Sequence, residues 1–171
     1  MCASSLTPVV LVADEDGLRR FVRDLAHEPV VAVDTESNSL HAYRERVCLI
    51  QFSIPTADYV VDPISLPDLS SVAPLFANPD QQKVLHDAKG DIACLRRDYD
   101  FAFANVFDTM IAARTLGWSQ VGLAAILDTQ FGVTLNKKYQ RADWKRRPLT
   151  PSGNLPTITS PGDPAKPSTL A

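Results

Sequence analysis

Short apolar runs separated by polar breaks divide most of this chain into strands and amphipathic helices. The run Val30-Val31-Ala32-Val33 is short and β-branched and follows Pro29, which predicts a buried strand over residues 30–36. Similar patterns predict five further strands: residues 9–12, 46–54, 59–62, 83–86 and 105–107. The short links between the second, third and fourth strands favour an antiparallel meander.

The helical patterns lie mainly between these strands and after them. Residues 14–27 place Leu18, Phe21 and Leu25 on one face behind a capping Asp14. Further helices are predicted over residues 69–76, 91–99, 109–116 and 121–131. Strands in a meander followed by alternating helices and strands predict an α/β fold: a mixed sheet with helices on both faces.

Length and composition are those of one soluble globular domain. The chain has 171 residues, no apolar run long enough for a membrane span, and an N-terminus unlike a signal peptide, so we expect a cytoplasmic protein. Cys2, Cys48 and Cys94 are scattered, which supports neither a disulfide framework nor a zinc site. We expect Cys48 and Cys94 to be buried small hydrophobes.

Basic residues are concentrated near the C-terminal end. Residues 137–147 hold six of the seventeen lysines and arginines, although the chain as a whole has a net charge of −3. Tyr139 and Trp144 lie among them, a pattern typical of surfaces that bind nucleic acid. A solvated basic helix face is the other interpretation, and the sequence leaves both open.

The pair Asp34 and Glu36 is the clearest candidate for chemistry. Residues i and i+2 of a strand share a face, so the two carboxylates project side by side. They repel each other and lose hydration unless a cation lies between them, which points to Mg²⁺ or Mn²⁺. A solvated turn or cap is the alternative. Asp91 follows a predicted strand-to-helix junction and could supply a third carboxylate.

The last two dozen residues differ in character. Residues 148–171 contain six of the thirteen prolines and no aromatic residue, and they show no periodicity. Such a segment cannot bury enough apolar area to offset its ordering entropy. We expect a domain over residues 1–149 and a disordered Pro/Ser/Thr-rich tail over residues 150–171.

Five ordered stretches carry a family resemblance. They are VAVDTE (31–36), LIQFS (49–53), HDAKGDI (86–92), FDTMIAARTLG (107–117) and DWKRRPLTP (143–151). With these stretches the chain resembles the ribonuclease D family of DEDD-type 3′→5′ exonucleases, which have a ribonuclease H-like fold. A chance match of an unrelated acidic domain is the competing explanation, and the order of five stretches argues against it.

The resemblance implies roles for individual residues. Asp34, Glu36 and Asp91 match the carboxylates that hold two divalent ions, Mg²⁺ or Mn²⁺, for hydrolysis of the terminal phosphodiester to nucleoside 5′-monophosphates. Thr35 would face the terminal nucleotide, and Asn38 and Leu40 would line its pocket. From the basic segment we add nucleic-acid contacts by Lys137, Lys138 and Arg141.

Two other polar residues near these motifs are expected to be structural. Asp108 precedes a helix and is expected to cap it rather than bind metal. His86 is expected to be a strand-end residue with satisfied hydrogen bonds rather than a base.

One departure from the family concerns its third motif, Tyr-x-x-x-Asp on a helix, which normally follows the RRPLTP segment. Residues 152–171 contain no Tyr. Tyr139 and Asp143 have the right spacing but precede that segment, so we interpret the pair as a coincidental match. The last catalytic helix is therefore expected to be missing, and the activity of this chain weak or absent.

The expected partner is the 3′ end of single-stranded RNA or DNA, and the sequence does not distinguish the two. No membrane and no protein partner is expected. The alternative to a metal-dependent exonuclease is a non-catalytic nucleic-acid-binding or interaction module that retains the fold.

Overall fold

A six-stranded mixed sheet forms the centre of the molecule. The computed structural model describes residues 7–39, 43–135, 142–147 and 149. The strands are β1 (Val9–Val12), β2 (Val30–Ser37), β3 (Val47–Ile54), β4 (Ala57–Val61), β5 (Gln82–Leu85) and β6 (Val106–Asp108). Their order is β1-β4-β3-β2-β5-β6. Strands β2, β3 and β4 form the predicted antiparallel meander, and the other pairings are parallel.

Within the described residues, five α-helices connect or follow these strands, as the periodicity predicts. They are α1 (Glu15–Leu25), α2 (Ala73–Ala77, after a 3₁₀ turn over Ser70–Val72), α3 (Lys89–Tyr99), α4 (Thr109–Thr115) and α5 (Leu123–Phe131). Asp14 caps α1 by accepting a 2.7 Å hydrogen bond from Gly17 N. Helix α3 begins two residues earlier than predicted, so Asp91 lies in its first turn. Within the described residues, no helix is long and apolar enough to cross a bilayer.

The main core lies on the sheet face covered by α1. Phe21 of this helix packs against Phe52 and Tyr59, with ring centroids 4.8 and 5.3 Å apart. Phe76 of α2 contacts Phe52 from the other side at 5.7 Å. Every residue of β3 is buried. Because β2 pairs with β3 along most of its length, this core also fixes the position of the carboxyl end of β2.

A C-terminal segment covers part of the opposite face. We call residues 142–147 and 149 the strap. Trp144 and Leu149 are buried against Cys48, Leu49 and Val60 in a second apolar cluster. The strap contains turns and no helix. Its apolar side chains exclude water from this face of the sheet, and the burial of apolar surface stabilises the strap and the sheet.

An ion pair anchors the strap to the end of β4. Arg147 donates from Nε to Asp62 Oδ2 at 2.7 Å and from Nη2 to Asp62 Oδ1 at 2.6 Å. The same guanidinium donates to the carbonyls of Cys48 and Trp144 at 3.0 and 2.7 Å. This two-pronged geometry is the strongest form of an arginine–carboxylate contact.

These contacts correct the interpretation of the basic segment. Trp144 is only 4% exposed, and Arg147 is paired with a buried carboxylate, so neither is available to a nucleic acid. A basic helix face is also wrong for residues 142–147, which form turns because Trp144 and Arg147 point into the sheet. Tyr139, like the tail over residues 150–171, lies outside the described residues.

The two cysteines of the described residues have different environments. Cys48 is buried beneath the strap, as expected. Cys94 is only partly buried, because it lies on α3 near the charged side chains of Glu45 and Arg97. The prediction of full burial was wrong for Cys94.

Candidate active site

Two carboxylates lie at the end of β2, on the face opposite the main core. Val31 and Val33 are buried in that core, and the alternation of the strand turns Asp34 and Glu36 to the other side. In the antiparallel register Asp34 lies opposite Gln51 and Glu36 opposite Leu49. The sheet therefore positions both carboxylates on a rigid element, as the sequence predicts.

The third carboxylate reaches this strand from the first turn of α3. Asp91 Oδ1 accepts a 2.5 Å hydrogen bond from Thr35 Oγ1. Thr35 lies between Asp34 and Glu36 in the sequence, so this contact ties α3 to the acidic end of β2. The structure thus brings together residues that are 56 positions apart in the chain.

Burial disfavours ionisation of all three groups, and the charges of nearby carboxylates add to this effect. Burial, followed by the charge of Asp91, raises the pKa of Asp34 to about 7. Burial, followed by the charges of Asp34 and Asp91, raises the pKa of Glu36 to about 8. The pKa of Asp91 is raised mainly by burial, which outweighs the hydrogen bond from Thr35. Ionisation of these carboxylates in the folded protein therefore has a considerable free-energy cost.

No cationic side chain offsets this cost within the described residues. None of the ion pairs there involves Asp34, Glu36 or Asp91. Buried carboxylates without a basic partner are the donor set that hard divalent ions prefer. The residues therefore fit a divalent metal in their chemistry.

The three carboxylates do not form a complete metal-binding site in this structure. Among the described residues no three acidic, histidine or cysteine side chains are already arranged to hold an ion. Asp91 is instead engaged with Thr35. Metal binding would require its carboxylate to adjust, so the ligand roles of the three residues stay predictions.

A model of the 3′-5′ exonuclease domain family matches residues 9–152. The chain belongs to this family. The matched residues include the strands of the sheet and the three carboxylates at the end of β2 and the start of α3. The relationship predicted from the five sequence stretches is therefore confirmed.

Curated relatives of the domain include a protein named RRP6-like 3 and an exosome complex exonuclease. Arabidopsis thaliana RRP6-like 3 is 42% identical over 142 residues, which are 82% of this chain and 16% of that protein. The exosome complex exonuclease RRP6 of Saccharomyces cerevisiae is 37% identical over 134 residues, 78% of this chain and 18% of that protein. The chain thus spans about a sixth of the length of these curated relatives.

Solved structures confirm the ribonuclease H-like fold. The catalytic core of Trypanosoma brucei RRP6 superposes with a TM-score of 0.81 at 34% identity, over 88% of this chain and 42% of that one. Escherichia coli RNase D, described as an exoribonuclease involved in structured RNA processing, gives a TM-score of 0.76 at 27% identity, over 82% and 38% of the two chains.

Asp108 of the exonuclease domain has the structural role that the sequence predicts. Its carboxylate caps α4 by accepting hydrogen bonds from Met110 N at 2.8 Å and Ile111 N at 3.2 Å. It also accepts from Asp87 N at 3.1 Å and Ala88 N at 2.9 Å, at the entry to α3. Burial alone would raise the pKa of Asp108, but these backbone donors hold it below its usual range.

His86 differs from its expectation. Its Nδ1 lies 2.8 Å from Thr109 Oγ1, whose own hydrogen is donated to the Leu85 carbonyl at 3.1 Å. Nδ1 therefore carries the proton, and Nε2 is a buried acceptor with no partner among the described residues. The expectation of a satisfied strand-end residue is thus met at Nδ1 only, because the strand end offers a polar neighbour to that nitrogen alone.

The predicted nucleotide-contacting residues have different placements. Thr35 contacts Asp91, as described above. Asn38 is buried, and its Oδ1 accepts a 2.7 Å hydrogen bond from Arg46 N. Leu40, Lys137, Lys138 and Arg141 lie outside the described residues. The nucleic-acid contacts assigned to all six residues stay predictions.

Asp143 is the described half of the pair interpreted as a coincidental match to the third motif, and that interpretation stays a prediction. It lies in the strap, and its Oδ1 accepts a 3.2 Å hydrogen bond from Lys145 N, which is a turn contact. Its contacts are thus with the strap rather than with Asp34, Glu36 or Asp91.

Two features of the domain were not found by sequence reasoning. Gln51, inside the matched LIQFS stretch, lies directly beside Asp34, with Nε2 3.5 Å from its Oδ2. A single amide in an otherwise apolar strand was the signal that could have found it. The Asp62–Arg147 pair joins residues 85 positions apart, and no local sequence pattern predicts it.

Proposed function

We propose that this domain is a metal-dependent 3′→5′ exonuclease that removes nucleoside 5′-monophosphates from the 3′ end of single-stranded RNA. The observation that carries the proposal is that Asp34 and Glu36 share one face of β2 while Asp91 contacts Thr35 between them, with no basic partner for any of the three among the described residues. Membership of the 3′-5′ exonuclease family supports the reaction class.

Within the domain, Asp34, Glu36 and Asp91 would hold the metal, with two ions of Mg²⁺ or Mn²⁺ in the full site. Bound there, divalent ions activate water and stabilise charge on phosphodiester oxygens. Thr35 orients Asp91 through its hydroxyl. The partly buried position of Asp34 limits access of bulk water to the carboxylates, which strengthens their interaction with a cation.

The choice of RNA over DNA is supported by relatives above 25% identity. The Saccharomyces cerevisiae relative is an exosome exonuclease, and the Escherichia coli structure is that of an exoribonuclease. For the phosphate contacts we propose Lys137, Lys138 and Arg141, together with Lys145 and Arg146, which are exposed on the strap. Basic side chains there would add a salt-dependent, sequence-independent contribution to affinity.

A protein partner is part of the proposal, contrary to the expectation from sequence. Several relatives are named as components of the exosome complex, including the Caenorhabditis elegans and Mus musculus homologues. Because this chain spans only a small part of such proteins, we propose that the domain acts within a larger polypeptide or assembly. The cytoplasmic location expected from the sequence is likewise kept only as a proposal.

Calorimetric titration with Mn²⁺ tests the site directly. We expect binding by the wild-type chain and none by Asp34→Ala or Asp91→Ala. Asp143→Ala is the matched control: it removes a carboxylate of the strap and should leave Mn²⁺ binding unchanged. Absence of Mn²⁺ binding by the wild-type chain would overturn the proposal.

A gel assay with 5′-labelled single-stranded RNA and DNA tests the reaction. With Mn²⁺ we expect slow shortening from the 3′ end of RNA at most, lost in Asp34→Ala. RNA binding that needs no metal and survives Asp34→Ala, without any shortening, would instead support the non-catalytic module. Shortening at a high rate that Asp143→Ala abolishes would show that Tyr139 and Asp143 supply the third motif after all.

A further inference from the structure

Gln51 occupies an unusual position for an amide side chain. It lies in the middle of β3, is 1% exposed and is opposite Asp34 on β2 and Val60 on β4. Along its own strand and face its neighbours are Leu49 and Ser53, and Ser53 donates its hydroxyl to Asp58. Asp34 is therefore the polar group to which Gln51 is directed.

The hydrogen bonds of Gln51 show that the fold itself gains little from it. Its Nε2 is 3.5 Å from Asp34 Oδ2, at the outer limit of a hydrogen bond, and its buried Oε1 has no partner within the part of the chain that the structure describes. An unsatisfied buried acceptor typically costs about 1–3 kcal/mol. An apolar side chain of the same size would avoid that cost and pack as well in a strand whose other buried neighbours are mostly apolar.

Gln81 is a buried glutamine with a structural role, and it provides a comparison for Gln51. Its side chain is 2% exposed, and its Nε2 donates to the carbonyls of Leu25 and Glu28 at 2.7 and 2.8 Å. These short bonds connect the end of α1 to the start of β5. The described residues thus include two buried glutamines, one bonded to the backbone and one turned to a carboxylate of the candidate site.

An amide suits the position beside Asp34 for a chemical reason. A lysine or arginine there would neutralise Asp34 and take the place of a cation. A neutral N–H donor holds one oxygen of the carboxylate and leaves the remaining lone pairs to a metal. Groups that orient metal ligands in this way commonly contribute about 10- to 100-fold to metal affinity.

We propose that Gln51 is a positioning residue of the metal site, whose amide holds the Asp34 carboxylate in the orientation that receives the ion. This inference rests on the proposed function. The amide acts through Asp34 and touches neither substrate nor metal.

Gln51→Leu tests the inference, with Gln81→Leu as the matched control. Mn²⁺ affinity is measured by calorimetry, and thermal unfolding is followed by circular dichroism in EDTA. We expect Gln51→Leu to bind Mn²⁺ about 10- to 100-fold more weakly, with an unfolding temperature equal to or above that of the wild type. Gln81→Leu should show the reverse: a lower unfolding temperature with unchanged Mn²⁺ affinity.

Each outcome decides the question. Unchanged Mn²⁺ affinity in Gln51→Leu, with binding lost in Asp34→Ala, would overturn the inference and leave the proposed function standing. A wild-type chain that binds no Mn²⁺ would overturn both. A lowered unfolding temperature in Gln51→Leu would show a structural role instead. If Gln51→Leu does not fold, Gln51→Met, which is unbranched and similar in length, supplies the same comparison.

Discussion

The hydroxyl of Thr35 donates a 2.5 Å hydrogen bond to the carboxylate of Asp91. This contact joins the strand that carries Asp34 and Glu36 to the helix that carries the third acidic side chain. It also satisfies one oxygen of a carboxylate whose pKa burial raises. The position of α3 relative to β2 therefore depends on a side chain between the two motif carboxylates.

Thr35→Val should weaken both the fold and the site. Valine keeps the shape of threonine but leaves Asp91 without its donor, and bonds to charged groups are worth about 1.5–3 kcal/mol. We expect a loss of that size in the free energy of unfolding, measured with urea, and weaker Mn²⁺ binding. Thr115→Val is the control, because the Thr115 hydroxyl donates only to the Ile111 carbonyl on the exposed surface of α4. A Thr35→Val protein as stable as the control would contradict this account.

The acidic cluster should make the metal-free domain less stable as pH rises. Asp34 and Glu36 have pKa values raised from 3.8 to about 7 and from 4.5 to about 8. Between about pH 4 and pH 8 the folded state therefore holds more protons than the unfolded state, and the free energy of unfolding falls with pH across this window.

The double variant Asp34→Asn/Glu36→Gln removes both titrations. In EDTA it should exceed the wild type in stability by roughly 2–4 kcal/mol at pH 8, and by much less at pH 5. Mn²⁺ at pH 8 should stabilise the wild type and have no effect on the variant. Urea unfolding at several pH values measures the difference. If the free energies of unfolding of the two proteins change with pH in the same way, the pKa values of these carboxylates are not raised in the folded state.

Arg147 should be among the most sensitive positions outside the main core. Arg147→Met leaves Asp62, which is buried, without its partner, and breaking such a pair costs about 3–5 kcal/mol. Arg147→Lys should recover only part of this, because an ammonium cannot donate to both carboxylate oxygens in the same way. Arg146→Met is the matched control, since Arg146 is exposed. Equal unfolding midpoints for the Arg146 and Arg147 variants would rule out an anchoring role.

Asp108→Ala should separate a capping role from a metal-binding one. The carboxylate accepts from four backbone N–H groups at the starts of α3 and α4, so its loss should cost about 2 kcal/mol or somewhat more. Asp108→Asn retains one acceptor oxygen and should recover part of that stability. Mn²⁺ affinity in Asp108→Asn should equal that of the wild type. A clear fall in affinity there would make Asp108 a ligand.

The fold was largely predictable because hydrophobic periodicity reports local structure. The apolar run before Asp34 and the cap at Asp14 place β2 and α1 within a few residues of their positions in the structure. The pairing of β1 with β4 in parallel was not predicted, because it joins residues about fifty positions apart and leaves no local pattern. Long-range pairing is decided by the packing of the whole sheet.

The candidate site was predictable only in part. Strand alternation places Asp34 and Glu36 on one face, and the family resemblance adds Asp91. The same reasoning misjudged Trp144, since a basic and aromatic segment has the same composition whether its rings face solvent or the sheet. It also passed over Gln51, whose significance comes from the residue opposite it in β2.

The apolar cluster beneath the strap contains side chains whose magnetic resonance signals would show whether a metal ion is bound. Leu149 and Trp144 share that cluster with Leu49, and Leu49 lies directly across from Glu36. A paramagnetic ion held by Glu36 would broaden the methyl resonances of Leu49 and the signals of its cluster neighbours more strongly than those of α1 on the far side of the sheet. Loading can thus be followed by magnetic resonance without attaching any label.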